Sequence, residues 1–552
     1  MFDTMRPLLS ACLLGLPLAS AVQAAEGPRR PVNLIFIVTD QQRFDAMGCA
    51  GNTVVKTPNM DRLAREGVRF TRAYAGCPVC GPARATMLTG CTNETNRVVD
   101  NGIADLKDST PAQVPRLPTF DQILLRNGYR GEYHGKWHCP YHWAQDYSRP
   151  VRWLNGKTPP AGSTADGSDA ETFKRFISDH VPLRPLRPGE KMEGRYGRPY
   201  LPDALDPNHA PASDATPAGA GPVKKSSQGE TYGCLVDIPL DYTLTAYAAR
   251  QGLEALDRLK GGPFTLTISI DPPHPPFVIP RPYYGMYPAS AIPLPTTIAD
   301  PRTNSPYLIR DTPGDGNPYG NPDRVREMRS VYYGMVTEVD TWVGRILDRV
   351  QELGLAERTL VIFTSDHGEM LGDHGMHSKN IFLDGSVRIP LIMRLPGVIP
   401  AGTVVDAPVS QVDYLATILD YLQMPAPANE GRSLKPLVDG SDQGQGRVVF
   451  SEWPVSNVPG FMVCDGRWKL LFGRGPDIAS LDALYDLVKD PNELTNLLGG
   501  NPAIEQYRPE AERLKGLLVA RLRSIKSPNA EAVAARPVTA QQPLAVKKKA
   551  KR

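Results

Sequence analysis

A chain of 552 residues, 41% of them hydrophobic, is long enough to bury a large core and to fold as one big domain with a smaller companion. Its formal net charge of +3, set against 22% charged residues, excludes a general electrostatic nucleic-acid binder, so any anion recognition must be local.

At the N-terminus, Arg6 precedes an apolar run from Pro7 to Val22 and then Gln23-Ala24-Ala25, the order of a charged n-region, an h-region and a small-residue cleavage site. Residues 1–25 are therefore expected to be an export signal, and the protein periplasmic or secreted. The run is shorter than the roughly 20 residues a spanning helix needs, and no second candidate follows, so no membrane span is expected. Leu9-Ser10-Ala11-Cys12 loosely matches a lipoprotein box but lies inside the h-region.

The near-continuous apolar run Val32–Thr39 predicts a strand covered on both faces and ends at Asp40. Thr57-Pro58 predicts a helix start, with Met60, Leu63 and Ala64 inward and Gly67 as the stop. The run Cys80-Gly81-Pro82-Ala83-Arg84 follows. Pro82 lacks an N–H and has φ pre-set for a first helical turn, which puts Cys80 at the N-cap, where the helix dipole favours an anion. Arg84, about one turn further, has a planar fork that suits a tetrahedral oxyanion. A third helix is expected from Thr119 to Leu125, stopping near Gly128, and is followed by Gly128-Tyr129 and Gly135-Lys136-Trp137-His138.

From about residue 140 to 233 the chain is rich in Pro, Gly, Asp and basic residues without periodicity and reads as long inserted loops. The strand pattern Phe264–Ile270 ends at Asp271-Pro-Pro-His274, and Leu360–Ser365 ends at Asp366-His367. Three strand ends thus deliver polar groups to one edge, where ligands of open α/β sheets bind. Between them, Met328, Val331, Tyr332, Met335, Val339, Trp342, Val343, Ile346 and Val350 keep a three-and-four spacing that predicts a core-facing helix stopped by Gly354. Alternating strands and helices predict a doubly wound α/β domain over residues 26–440. Short antiparallel strands are expected at Val448–Trp453, Gly460–Cys464 and Trp468–Phe472, then Leu484–Leu487 and a helix from about Tyr507 to Ile525, forming a small α+β domain over 441–527. Residues 528–552, ending Lys547-Lys-Lys-Ala-Lys-Arg552, read as a disordered basic tail.

Of eight cysteines, Cys12 lies in the signal and Cys80 in the helix-start run. The other six (Cys49, Cys77, Cys91, Cys139, Cys234, Cys464) are an even number that permits disulfides without fixing a pairing. Cys77-Pro-Val-Cys80 has no matching second pair and alone does not indicate zinc or redox chemistry.

Cys80 through Gly90 resembles the C-x-P-[SA]-R-x-x-x-L-T-G signature of the type I sulfatases of the alkaline phosphatase superfamily, with Ala83 as the allowed variant. The resemblance runs from about Asn33 to Leu497. It implies an alkaline phosphatase-like fold, with a large mixed sheet flanked by helices, and conversion of Cys80 to formylglycine by a formylglycine-generating or sulfatase-maturating enzyme. It further implies one divalent ion held by Asp40, Cys80, Asp366 and His367. Gln41 stands where many members have a second aspartate, which weakens the case for calcium and makes manganese the alternative. By position, Lys136 and His138 match the pair that contacts sulfate and the formylglycine hydrate, and Lys379 matches a second sulfate-binding lysine. His274 matches the proton donor to the leaving oxygen. The implied activity is hydrolysis of sulfate monoesters, with a sulfated small molecule or saccharide as partner. Export, the inserted loops and Tyr283, Tyr284 and Tyr287 after His274 favour a carbohydrate. The alternatives are a phosphonate monoester or phosphodiester hydrolase of the same superfamily and an inactive carbohydrate-binding relative, though neither nucleophile nor clamp is missing.

Overall fold

The computed structural model describes residues 31–101, 115, 117–139, 193–195, 198–200, 232–235, 239–307, 318–453, 459–473 and 481–538. The expected signal segment 1–25, most of the insertion 140–233 and the end of the basic tail lie outside them.

Among the described residues seven strands form the main sheet: β1 (Asn33–Thr39), β2 (Val68–Phe70), β3 (Arg130–Gly135), β4 (Phe264–Ile270), β5 (Thr359–Ser365), β6 (Leu391–Arg394) and β7 (Thr403–Val405). Their spatial order is β7-β2-β6-β5-β1-β4-β3. The four strands β5, β1, β4 and β3 are mutually parallel, while β6 runs antiparallel to β5 and to β2. The sheet is therefore mixed, as the family resemblance implied.

Strand β1 reads as a continuous apolar run because both of its faces are covered. Leu34, Phe36 and Val38 enter one core, and Ile35 and Ile37 enter the other. On the second face lie α1 (Pro58–Glu66), α4 (Leu244–Leu259) and α5 (Pro322–Glu352); on the first lie α2 (Cys80–Thr89), α3 (Phe120–Arg126) and α6 (Asp413–Tyr421). The nine residues of the predicted core stripe of α5 are all buried. That helix starts well before its apolar stripe, because the Asn321 side chain accepts from Asp323 N and Arg324 N and Pro322 follows it.

A four-stranded antiparallel sheet, β8 (Val449–Glu452), β9 (Phe461–Cys464), β10 (Trp468–Phe472) and β11 (Ala483–Asp486), packs on α7 (Ile504–Ser524) and on α8 (Ala530–Ala535). Helix α8 departs from the expected tail at 528–552. Ala530 and Val533 are buried in this small core, and Arg536 makes a buried ion pair with Asp482 at 2.7 Å. No helix among the described residues is long and apolar enough to cross a membrane. Cys49, Cys77, Cys91 and Cys464 are thiols, not disulfide halves.

Candidate active site

Register brings the strand ends together. Thr39 lies opposite both Ser365 and Ile270, and Gly135 lies opposite Ser269. The next residues of the four parallel strands, Asp366, Asp40, Asp271 and Lys136, therefore meet at one sheet edge. Lys136 can approach because Gly135 has φ 97° and no side chain. A Cβ there would sit 1.9 Å from the Ser269 carbonyl oxygen.

Helix α2 brings Cys80 to this edge. The N-cap is Val79, one residue earlier than the sequence suggests, so Cys80 occupies the first helical position. Its helix still tolerates Pro82, since the first-turn N–H groups have no intrahelical partner. Cys80 is buried; Lys379 Nζ donates to its Sγ at 3.0 Å, and the thiol faces two acceptors, His367 Nε2 at 3.1 Å and Asp40 Oδ1 at 3.7 Å. His367 Nδ1 donates to the Gly368 carbonyl at 2.9 Å, which fixes the tautomer and turns the Nε2 lone pair toward the cluster.

Arg84 departs from the expected oxyanion clamp. Its fork is spent on Asp366 Oδ2 (3.0 Å), Asp40 Oδ2 (3.2 Å), Ser269 Oγ (2.8 Å) and the Lys136 carbonyl (2.9 Å). Buried beneath the two carboxylates, it orients them instead of facing a substrate. Lys136 Nζ sits 2.7 Å from Asp40 Oδ2 and 3.0 Å from Asp271 Oδ1. Burial would discharge Lys136, but Asp271 and Asp40 reverse this and raise its pKa.

His274 lies beyond β4, with Nδ1 bonded to the Pro275 carbonyl at 2.7 Å and Nε2 at 3.9 Å from Asp40 Oδ1. Burial together with Lys136 and Lys379 pushes it down to about 4, so the imidazole is neutral until an anion offsets those lysines. His138 is buried two residues beyond Lys136, at φ 47°. The tyrosines that follow His274 are engaged with the core beside α5. Tyr287 is buried and bonds Thr337 and Lys56 N, and Tyr283 and Tyr284 pack on the core around α5.

Three further contributors stand beside the expected site residues; the sequence marked Asp271 only as a strand end and Gln41 only as a departure at the metal site, and it did not mark Glu369. Asp271 is the ion-pair partner of Lys136. Gln41, at φ 68°, accepts from Lys379 Nζ at 2.8 Å through Oε1, which turns its side-chain oxygen to the lysine, while its amide donates to Glu369. Glu369 is fully buried and also accepts from the backbone N–H groups of Leu371 and Ser378, bracing the loop that carries Lys379. An acid two residues beyond Asp366-His367 was the available signal.

The donor set fits a divalent cation. Ligand atoms of Asp40, Cys80, Asp366 and His367 all lie within 4.8 Å of one another. Burial and the facing charge of Asp40 push Asp366 up to about 7. Burial also raises Asp40, but Lys136, His274, Lys379 and His367 outweigh it and hold that carboxyl well below its usual range. Arg84 meets both carboxylates through their Oδ2 atoms, so a cation among the four donors would be met by their Oδ1 atoms. For Cys80, burial and Asp40 push the thiol up, and Lys379, Lys136 and His367 more than offset them.

The family model described as Sulfatase matches residues 32–424, and one described as N-sulphoglucosamine sulphohydrolase, C-terminal, matches residues 372–519. The multifunctional alkaline phosphatase superfamily protein PehA of Trinickia caryophylli is 29% identical, across 85% of this chain and 92% of that one. The N-acetylglucosamine-6-O-sulfatase of Bacteroides thetaiotaomicron is 28% identical, across 88% and 86%. The solved phosphonate monoester hydrolase of Agrobacterium radiobacter superposes with a TM-score of 0.67 at 26% identity, covering 90% of this chain and 96% of that one.

Proposed function

The chain belongs to the sulfatase family, whose enzymes hydrolyse sulfate esters, and from that premise we propose that it is a sulfuric ester hydrolase with formylglycine, made from Cys80, as nucleophile and a sulfated carbohydrate as substrate. The observation that carries this reading is the enclosure of Cys80 Sγ by Lys379, His367 and Asp40 at 3.0, 3.1 and 3.7 Å. Once hydrated, a formyl group at this position supplies two hydroxyls, one to attack sulfur and one to expel sulfate as the aldehyde returns, a route that a serine or cysteine ester lacks.

Asp40, Asp366 and His367, with the oxygen of the converted residue, would hold the divalent ion. Calcium follows from the family resemblance and manganese from the imidazole and from Gln41 in place of a second aspartate; either would supply Lewis-acid polarisation of the sulfuryl oxygens. Lys136 and Lys379 each carry three N–H donors, and those beyond their present partners meet the ester's non-bridging oxygens. Asp366 eases loss of the attacking hydroxyl's proton. His274, held by the Pro275 carbonyl with Nε2 toward the cluster, takes up a proton from solvent once the bound ester's negative charge offsets Lys136 and Lys379, and donates it to the leaving alcohol. Arg84 keeps both carboxylates in place throughout.

The carbohydrate assignment is supported by the likeness to the N-acetylglucosamine-6-O-sulfatase. A second reading, hydrolysis of phosphonate monoesters or phosphodiesters, is favoured by the likeness to the phosphonate monoester hydrolase, and the pocket's charge suits both readings. The carboxylates of Asp40, Asp271 and Asp366 balance Arg84, Lys136 and Lys379, so a divalent ion leaves the pocket doubly positive and suited to any singly charged ester.

The test is kcat/KM on an aryl sulfate, a panel of sulfated oligosaccharides and an aryl phosphonate. The proposal expects the highest value among the sulfates and desulfation of at least one saccharide. A higher value on the phosphonate would put the second reading first. Turnover of the aryl sulfate with no saccharide desulfated would remove the carbohydrate.

A further inference from the structure

We propose that before Cys80 is oxidised its thiolate is itself a metal ligand, so that the unconverted chain holds a zinc-class ion through Cys80, His367, Asp40 and Asp366 and changes metal preference on conversion. This goes beyond the hydrolase reading, because it concerns the chain whether or not it is ever matured.

The spacing of the donor atoms is the first argument. Cys80 Sγ lies 3.1 Å from His367 Nε2 and 3.7 Å from Asp40 Oδ1. His367 Nε2 lies 3.7 Å from Asp40 Oδ1 and 3.6 Å from Asp366 Oδ1. A tetrahedral zinc-class ion, with bonds of about 2.3 Å to sulfur and about 2.0–2.2 Å to nitrogen and oxygen, sets its ligand atoms about 3.3–3.7 Å apart. These four separations, 3.1–3.7 Å, are close to that spacing, and all four buried donors lie within 4.8 Å of one another.

The outer groups prepare the same atoms. Arg84 engages the Oδ2 atoms of both aspartates, and Lys136 also sits on Asp40 Oδ2, so both Oδ1 atoms are turned toward His367. The Gly368 carbonyl holds the His367 tautomer that presents Nε2. Calcium asks for six to eight oxygens, and the side-chain oxygen of Gln41 is held by Lys379 at 2.8 Å. Lys379 must leave Sγ when the ion enters, and Gln41 Oε1 remains to receive its ammonium.

Binding is a ligand exchange without redox change: the thiol proton goes to solvent and a metal–sulfur bond forms. Conversion of Cys80 by the maturation enzyme, whose oxidant takes two electrons while the sulfur leaves as sulfide and an oxygen takes its place, then replaces a charged, soft donor with a neutral oxygen, which moves the preference toward ions that favour oxygen. The unconverted protein is thus a thiolate metal protein, and the converted one is not.

The experiment uses full-length protein made in a host without the maturation enzyme, with the Cys80 thiol verified by mass. The apoprotein is titrated with Co2+. The expected result is one cobalt per chain with a near-ultraviolet thiolate-to-cobalt band and intense visible tetrahedral bands, displaced by Zn2+. Cys80→Ser, which keeps Cys49, Cys77, Cys91 and Cys464, should lose the near-ultraviolet band and weaken cobalt binding by at least about tenfold. Cys80→Ala serves the same purpose if the serine variant does not fold. Absence of the thiolate band in the unconverted protein, or its persistence in both variants, overturns the proposal. Conversion of Cys80 in a maturation-competent host is weighed separately, so the failure of either reading is recognisable by itself.

Discussion

Replacing Arg84 by Met separates two roles that a guanidinium at this position could have. In the structure its donors go to Asp366, Asp40, Ser269 and the Lys136 carbonyl, at 2.8–3.2 Å. Methionine fills much of the volume but leaves the two carboxylates facing each other, with Lys136 as their nearest remaining cation. Removing one partner of a buried, hydrogen-bonded charge cluster costs about 3–5 kcal/mol, a large share of a typical total stability of about 5–15 kcal/mol. A divalent ion restores positive charge between the carboxylates, so the deficit should shrink when metal saturates the folded state. Urea denaturation of wild type and Arg84→Met, with and without added divalent ion, measures both quantities. A loss below about 1 kcal/mol in metal-free buffer, accompanied by a raised KM for the ester, would refute the reasoning and mean that the guanidinium serves the substrate.

Gly135→Ala should destabilise the protein by more than about 3 kcal/mol, seen as lost soluble yield or a lower unfolding midpoint, because the new Cβ would meet the Ser269 carbonyl oxygen at 1.9 Å at a positive φ. Glu369→Gln puts an amide donor against the N–H groups of Leu371 and Ser378, so Lys379 loses its aim. Steady-state kinetics should register a KM for the sulfate ester raised about tenfold with a smaller change in kcat; an unchanged KM would count against the bracing role. Asp340, which accepts from Asn59 and Met60 at the start of α1, is pushed by burial up to about 6. Its folded pKa lies above the unfolded one, so its contribution is full near pH 4 and below and is lost as pH rises through about 6. Relative to Asp340→Asn, wild type should therefore lose about 2–3 kcal/mol between pH 4 and 6.5, measured by denaturation at each pH.

Local signals carried much of the architecture. The runs ending at Asp40, Asp271 and Asp366 were legible because fully buried parallel strands leave no polar face, and their ends then stand out. The family spacing also named Lys136, His274 and Lys379, which the fold gathers around Cys80. What stayed hidden depends on register between segments far apart in the chain. The choice of Arg84 between an oxyanion and two carboxylates follows from Thr39 lying opposite Ser365 and Ile270, which no local pattern encodes. The turn of Gln41 toward Lys379 rests on a left-handed backbone at a residue that sequence alone gives no reason to place there. Tyr287 counted toward a carbohydrate substrate because its hydroxyl partners, Lys56 and Thr337, come from distant segments. Helix α8 was missed because six Ala-rich residues show almost no amphipathic period, and its burial is set by the Arg536–Asp482 pair and the core beneath.

The most direct test of the account is the mass of the peptide containing Cys80, taken from protein coexpressed with a formylglycine-generating enzyme and compared with sulfate release by the same preparations. The account predicts the mass decrease that turning –CH2SH into –CHO requires, and sulfate release that rises in proportion to the converted fraction. Sulfate release from protein whose Cys80 is wholly an unmodified thiol would contradict it.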